Sequence, residues 1–194
     1  MNDVVELKDG TSARIRPLVE DDLDALHAFF KAMPEKDRVF LRLDVTVRDQ
    51  LEKRIRDTEK GRAFRLVSMI DDEIAAYGVL ELEGCGWKEH VGEVRLFVAP
   101  SRQRKGLGVL MARELYLLAV REKVEEIVIR MMRPQMSARS IFRRLAFHRE
   151  VVLPDYVRDR KGRLQDMILM RCDLKTLLQE LEHYIADGDW QRSR

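Results

Sequence analysis

In the segment TSARIRPL, Thr11–Leu18, apolar and polar positions alternate with period two, which predicts a short strand ending near Pro17. The next stretch, EDDLDALHAFFKAMP, changes period. Leu23, Leu26, Phe29, Phe30 and Met33 recur at helical spacing, and acidic residues crowd the start, where they suit the helix dipole. A second helix is expected from about Thr46 to Lys60, with Thr46 as its cap and Leu51 and Ile55 on one face. AFRLVSMI and IAAYGVLELEG flank Asp71-Asp72-Glu73 and read as the strands of a hairpin. GCGWKEH, Gly84–His90, is a loop, and VGEVRLFVA, Val91–Ala99, is a strand stopped by Pro100. From Gly106, the positions Leu107, Leu110, Met111, Leu115, Leu118 and Ala119 trace one face of a helix reaching Lys123. EEIVIRMM is a strand and Ser137–Leu145 a short, arginine-rich helix. REVVLPDYV and QDMILMRC bracket the turn RDRKGR as a hairpin, and LKTLLQELEHYIA is a last helix.

The resulting order, β-αα-βββ-α-β-α-ββ-α, is that of a mixed α/β (α+β) domain with a central sheet, not of an alternating doubly wound series. Its 194 residues fit one domain with a sizeable core. No linker or internal repeat divides it, so the expected organisation is a domain over residues 1–173 and a helical extension over 174–194. The apolar stripe of that extension, Leu174, Leu177, Leu178, Leu181 and Ile185, must pack on the domain or on a second copy in a homodimer.

Charge is abundant but balanced, 36 basic against 34 acidic residues for a net +2, which gives no case for a nucleic-acid partner. Two cysteines, Cys85 and Cys172, without CxxC or His/Cys ligand spacing exclude a disulfide framework and a structural metal site. No apolar run is long enough to span a membrane, and the mixed N-terminus MNDVVELKDG is not a signal peptide, so a cytoplasmic protein is expected.

The candidate chemistry sits at QRKGLG, Gln103–Gly108. A strand ends, Arg104 and Lys105 follow, and Gly106 and Gly108 open a helix. The first N–H groups of a helix lack partners and its dipole is positive there, so this is an anion site that glycines let a ligand approach closely. Neither GxxxxGK[ST] nor GxGxxG is present.

The pattern Q-x-x-G-x-G, set between a strand and a long amphipathic helix and followed by a strand and a short helix ending RRLAF, resembles the pyrophosphate loop of the GNAT N-acetyltransferase superfamily. IRPLVEDDLDAL and DMILM extend the resemblance over roughly residues 4 to 173. It implies a mostly antiparallel sheet flanked by helices and acetyl-CoA as co-substrate. Leu96, Phe97 and Val98 would run beside the pantetheine arm. Gln103, Arg104, Lys105, Gly106, Leu107 and Gly108 would wrap the pyrophosphate. Gln135 stands where the family usually has an asparagine that touches the cofactor, and Arg139, with Arg143, would approach the 3′-phosphate. The implied reaction is direct attack of a primary amine on a thioester, with a backbone N–H near Val98 stabilising the oxyanion. Glu93 is the candidate base, its carboxyl expected to be raised by burial, with Glu81 and Glu83 in reserve. Phe142 occupies the place of the usual acidic tyrosine, and Tyr156 is either a substitute or a packed strand aromatic. Trp87 either lines an acceptor cleft or packs on the body. The stretch LKDGTSARIRPLVEDDLDALHAFF looks most like the acetyltransferase domain of bacterial protein-lysine acetyltransferases, so a protein lysine is the expected acceptor and a small amine the alternative. Phe142 and Gln135 keep open a chain that binds acetyl-CoA without turning it over.

Overall fold

A computed structural model describes residues 3–58, 63–84, 86–135, 139, 142, 143, 145 and 147–186. Eight strands form one sheet in the order β1-β2-β3-β4-β5-β6-β8-β7. They are β1 (Asp3–Glu6), β2 (Ser12–Pro17), β3 (Ala63–Ile70), β4 (Glu73–Leu82), β5 (Val91–Val98), β6 (Glu126–Met132), β7 (Arg149–Arg158) and β8 (Leu164–Asp173). Every neighbouring pair is antiparallel except β5 and β6, which the crossover helix α4 (Leu107–Arg121) connects. The other helices are α1 (Leu23–Ala32), α2 (Glu35–Arg38), α3 (Arg48–Thr58) and α5 (Leu174–Ala186).

Strand periodicity sorts the core into two layers. Leu80, Leu96 and Val98 pack with Leu107, Met111 and Leu115 of α4 on one face. Their neighbours Val79, Phe97 and Ala99 pack with Leu26, Phe29, Phe30, Leu51 and Ile55 of α1 and α3 on the other. The entry to α1 is fixed by Asp22, whose carboxylate takes both terminal nitrogens of Arg16 at 2.6 and 2.7 Å and the Val19 N–H at 2.9 Å.

Three features differ from the sequence reading. Residues Asp3–Glu6 form a strand, because the open edge of β2 supplies partners that a four-residue segment does not announce by itself. The single turn α2 follows Pro34. Thr46 does not cap α3: its N–H and hydroxyl both turn back to Asp44, and its carbonyl bonds His27 at 2.8 Å. The last helix packs in cis. Leu174 and Leu177 are buried in the core shared with α4, and Leu178 packs against it. The side chains of Leu181 and Ile185, and residue Trp190, lie outside the described residues. No helix of the described residues is long and apolar enough to cross a membrane.

Candidate active site

The turn before α4 has the geometry of an anion cradle. Gly106 is the N-cap, in the left-handed region at φ 85°, where a side chain would be strained. No side chain caps this helix and no acidic residue lies in its first turn, whereas three acidic residues crowd the turn that leads into α1. Val109 donates to the Gly106 carbonyl at 3.0 Å, which leaves the Leu107 and Gly108 N–H groups at the helix end without a capping carboxylate. A Cβ added at Gly108 would meet only the Val98 and Leu96 side chains, at 3.7 and 4.0 Å, which is ordinary contact. Packing within the chain therefore leaves room for a side chain at 108, and what the glycine keeps open is the approach to the helix end. Gln103 ties the turn to β5 by donating to the Val98 carbonyl at 3.2 Å. Lys105 is held by Asp9 of the β1–β2 turn at 2.7 Å. That contact, with Thr11, holds the Asp9 carboxyl well below the usual carboxylate range.

The end of β5 borders a cleft. β5 pairs with β4 over its whole length, Gly92–Val98 against Ala76–Leu82. On its other edge it pairs with β6 only from Val91 to Glu93, and beyond that point the two strands part. Leu96, Phe97 and Val98 thus present an open strand edge toward the gap. A cavity of about 190 Å³ lies there, lined by Leu96 and Phe97, by Ile129–Met132 of β6, by Gln135 and Phe142, and by Leu41–Leu43 of the α2–α3 loop. The β7–β8 turn braces that loop: the Arg160 N–H donates to the Val39 carbonyl at 3.1 Å, and its guanidinium pairs with Asp44.

Glu93 stands where β5 and β6 separate. It is 3 % exposed, opposite Glu81 in the register. Burial was expected, but its surroundings were not: the carboxylate is gripped by Arg42 of the α2–α3 loop and Arg130 of β6. Glu81 is bound by Arg54 at 2.8 Å and by Arg95. Burial pushes the Glu81 carboxyl up, yet Arg95 and Arg54 outweigh it and hold it below its ordinary value. Arg130 likewise holds Glu83 down, at 2.5 Å, with Lys88 at 3.5 Å. The arginines are the residues that sequence reasoning missed. Their signal was present as one arginine inside each of three core strands, Arg65 in AFRLVSMI, Arg95 in VGEVRLFV and Arg130 in EIVIRMM.

Other expected residues are placed as follows. Gln135 lines the cavity, and its side-chain carbonyl accepts the Met132 N–H at 2.8 Å. Arg139 is committed to Glu150 through two bonds of 3.0 and 2.5 Å, with Arg143 at 3.6 Å from the same carboxylate. Phe142 is buried edge-on to Phe147, ring centroids 5.6 Å apart. Tyr156 is 65 % exposed on β7 and is not among the residues lining the cavity, and Trp87 stands out at 96 % exposure. Tyr77 is the one tyrosine among the described residues lining the cavity, and burial pushes its hydroxyl up from its usual value, so it stays protonated. Cys172 is buried, and Cys85 lies outside the described residues. Among the described residues no cluster of His, Cys, Asp and Glu could hold a metal ion.

An uncapped glycine turn thus lies beside a splayed strand pair. The acetyltransferase (GNAT) family profile matches residues 23–147, well over half the chain, and the chain belongs to that family of N-acetyltransferases. No curated protein matches it. Among solved structures it is similar to RimJ of Mycobacterium smegmatis in complex with CoA-disulfide, at TM-score 0.76 and 17 % identity over 96 % of this chain and 94 % of that one. It is similar to yncA, a putative acetyltransferase of Salmonella typhimurium with acetyl-CoA, at TM-score 0.70 and 20 % identity over 84 % and 94 %. It is also similar to a ribosomal-protein-alanine N-acetyltransferase of Brucella melitensis, at TM-score 0.69 and 20 % identity over 82 % and 98 %. At these identities the likeness establishes the fold.

Proposed function

We propose that this chain moves the acetyl group of acetyl-CoA onto a primary amine, with Glu93 as the group that takes the amine's proton. The observation that carries the reading is the α4 entry: helix N–H groups without a cap, beside a glycine whose Cβ the protein itself has room for. Gly106–Gly108 and Gln103 would hold the pyrophosphate, with Arg104 and Lys105 adding positive charge beside it. The open edge of β5 at Leu96–Val98 would pair with the pantetheine amides as an added strand does. Gln135, on the cavity wall, would face the same arm. Arg139, paired with Glu150 as Lys105 is with Asp9, would approach the 3′-phosphate. Acetyl-CoA supplies a thioester as the acyl donor.

Glu93 is favoured over Glu81 and Glu83 because it stands at the strand divergence itself. Arg42, whose side chain is 41 % exposed, is the looser of its two partners. Displacement of Arg42 by the acceptor amine frees one carboxylate oxygen for the proton. Phe142 has no proton to give, so the leaving thiolate takes one from Tyr77 or from water. The acceptor is a protein lysine or a small amine; the early sequence LKDGTSARIRPL favours the first.

The test has two stages. Calorimetry with acetyl-CoA should detect binding to the wild type and a loss of at least tenfold in Gly108→Val; equal affinities would remove the reading. Thiol release is then followed across amines and lysine-bearing proteins. Binding with no thiol release for any acceptor would make the chain a binding module instead of an enzyme.

A further inference from the structure

Arg42 reaches the site from residues 39–47, the loop between α2 and α3. Leu41 and Val45 of that loop are buried in the core under α1 and α3, so the backbone on either side of Arg42 is anchored. Its guanidinium forks onto Glu93: one terminal nitrogen donates to Oε2 at 3.2 Å and the other to Oε1. Arg130 also donates to Oε2, and its second terminal nitrogen holds Glu83 at 2.5 Å. Arg130 is carried by a strand in the middle of the sheet, Arg42 by a loop on its surface. Of the two, Arg42 is the one that can leave, and leaving uncovers Oε1.

The loop is fastened from outside. Arg160 of the β7–β8 turn donates its N–H to the Val39 carbonyl at 3.1 Å and pairs through its guanidinium with Asp44, so its two contacts flank Arg42. Lys161 of the same turn reaches Glu35 of α2 at 3.1 Å. Ion pairs this near the surface are weak and can be broken at little cost. What they hold against Glu93 is a cation on a long, flexible stem, with the charge an acceptor amine carries before it gives up its proton. A guanidinium stays protonated, so it can rest against a base beside a thioester without reacting. An ammonium in the same place can lose its proton to the carboxylate.

We infer that Arg42 keeps the place of the acceptor's ammonium on Glu93, a stand-in that the acceptor must displace, and that the Arg160 fastening sets how readily it yields. This rests on the acetyltransferase reading with Glu93 as base, and it adds the regulation of the acceptor site. Exchange of one cation for another keeps Glu93 paired throughout, so its buried charge is never left bare. The exchange suits a lysine, whose ammonium also rides on a long, flexible stem. Once the acceptor's proton has passed to Oε1 and its nitrogen has taken the acetyl group, the amide product carries no charge to hold it there, and Arg42 can return.

The variant Arg42→Lys puts a primary amine in the stand-in's place. Incubated with acetyl-CoA, it should acetylate itself at position 42, faster than at any other lysine and at a rate independent of protein concentration, as mass spectrometry of its peptides would show. Adding Glu93→Gln should suppress that modification. Arg42→Gln should lower KM for n-butylamine and for Nα-acetyl-lysinamide severalfold, with acetyl-CoA affinity unchanged. Arg160→Gln, whose side chain does not line the cavity, should lower KM in the same direction by less, which keeps the test open if changes at position 42 disturb folding. A residue that only braces Glu93 would give the reverse, a lower kcat with no gain in KM. Calorimetry supplies a readout without turnover: ethylguanidine, the part of the side chain that Arg42→Ala removes, should bind that variant and not the wild type. No acetylation at position 42, or a KM that stays or rises in Arg42→Gln, with acetyl transfer intact, overturns the inference and leaves the acetyltransferase reading in place. Binding of ethylguanidine confined to Arg42→Ala, with no thiol release from any amine, keeps the cation site and overturns the acetyltransferase reading instead.

Discussion

Glu93 concentrates the chemistry at the scale of single residues. Its position at the strand divergence is what a base would need, yet two guanidinium groups hold it, and these two facts predict different kinetics. If it takes the amine's proton, Glu93→Gln should lower kcat by about two to four powers of ten, with acetyl-CoA affinity unchanged and the residual rate rising with pH as free amine accumulates. If its work is to hold Arg42 and Arg130, the loss should appear in acceptor KM, with the shape of the pH profile kept. A mutant keeping more than about a third of the rate, under 1 kcal/mol of barrier, would remove Glu93 from the reaction. Arg139 gains a partner that its own segment does not show. Its spacing with Arg143 suggested a phosphate contact, but Glu150 comes from a strand that only the folded hairpin brings near.

At the scale of elements, two helices make checkable claims. The entry to α1 depends on Asp22. Burial pushes its carboxyl up, but the Arg16 pair and the Val19 N–H outweigh that and hold it below the usual carboxylate range. A carboxyl lowered on folding stabilises the protein above its unfolded pKa, about 4, and that contribution is lost as pH falls through the folded value. Asp22→Asn should therefore cost about 1–3 kcal/mol at pH 7. The gap to wild type should shrink in urea melts below about pH 4, and a gap independent of pH would contradict the assignment. For α5, the burial of Leu177 against α4 predicts that Leu177→Ala loses about 2–5 kcal/mol at every protein concentration. A loss under about 1 kcal/mol would show that the helix contributes little to the core.

For the whole molecule, the cleft divides one sheet into a five-strand part and a three-strand part joined by three residue pairs of β5 and β6. A ligand laid along the open edge bridges the two. Acetyl-CoA at a hundredfold excess over its Kd should stabilise the fold by about 2.7 kcal/mol, a rise in melting temperature of about 5–10 °C for a chain of this size. Gly108→Val, bound at least tenfold more weakly, should show no more than about half of that shift at the same acetyl-CoA concentration; a full shift in the variant would move the site away from the α4 entry.

The hydrophobic pattern alone determined most elements, because period two and period 3.6 are local properties of a backbone that must bury one face. The glycine turn was equally legible, since a left-handed N-cap at Gly106 and an uncapped helix end are properties of a few consecutive residues. What the tertiary structure decided is everything that depends on partners distant in the chain. Val4 and Val5 became strand residues only because β2 lay open beside them. The cleft exists because β5 and β6, about thirty residues apart in the chain, pair for three residues and then part. Arg42, Arg54, Arg65, Arg95 and Arg130, each unremarked in its own segment, meet three glutamates there. A charge inside a core strand says that a partner must be found, but only the folded sheet says which partner it is.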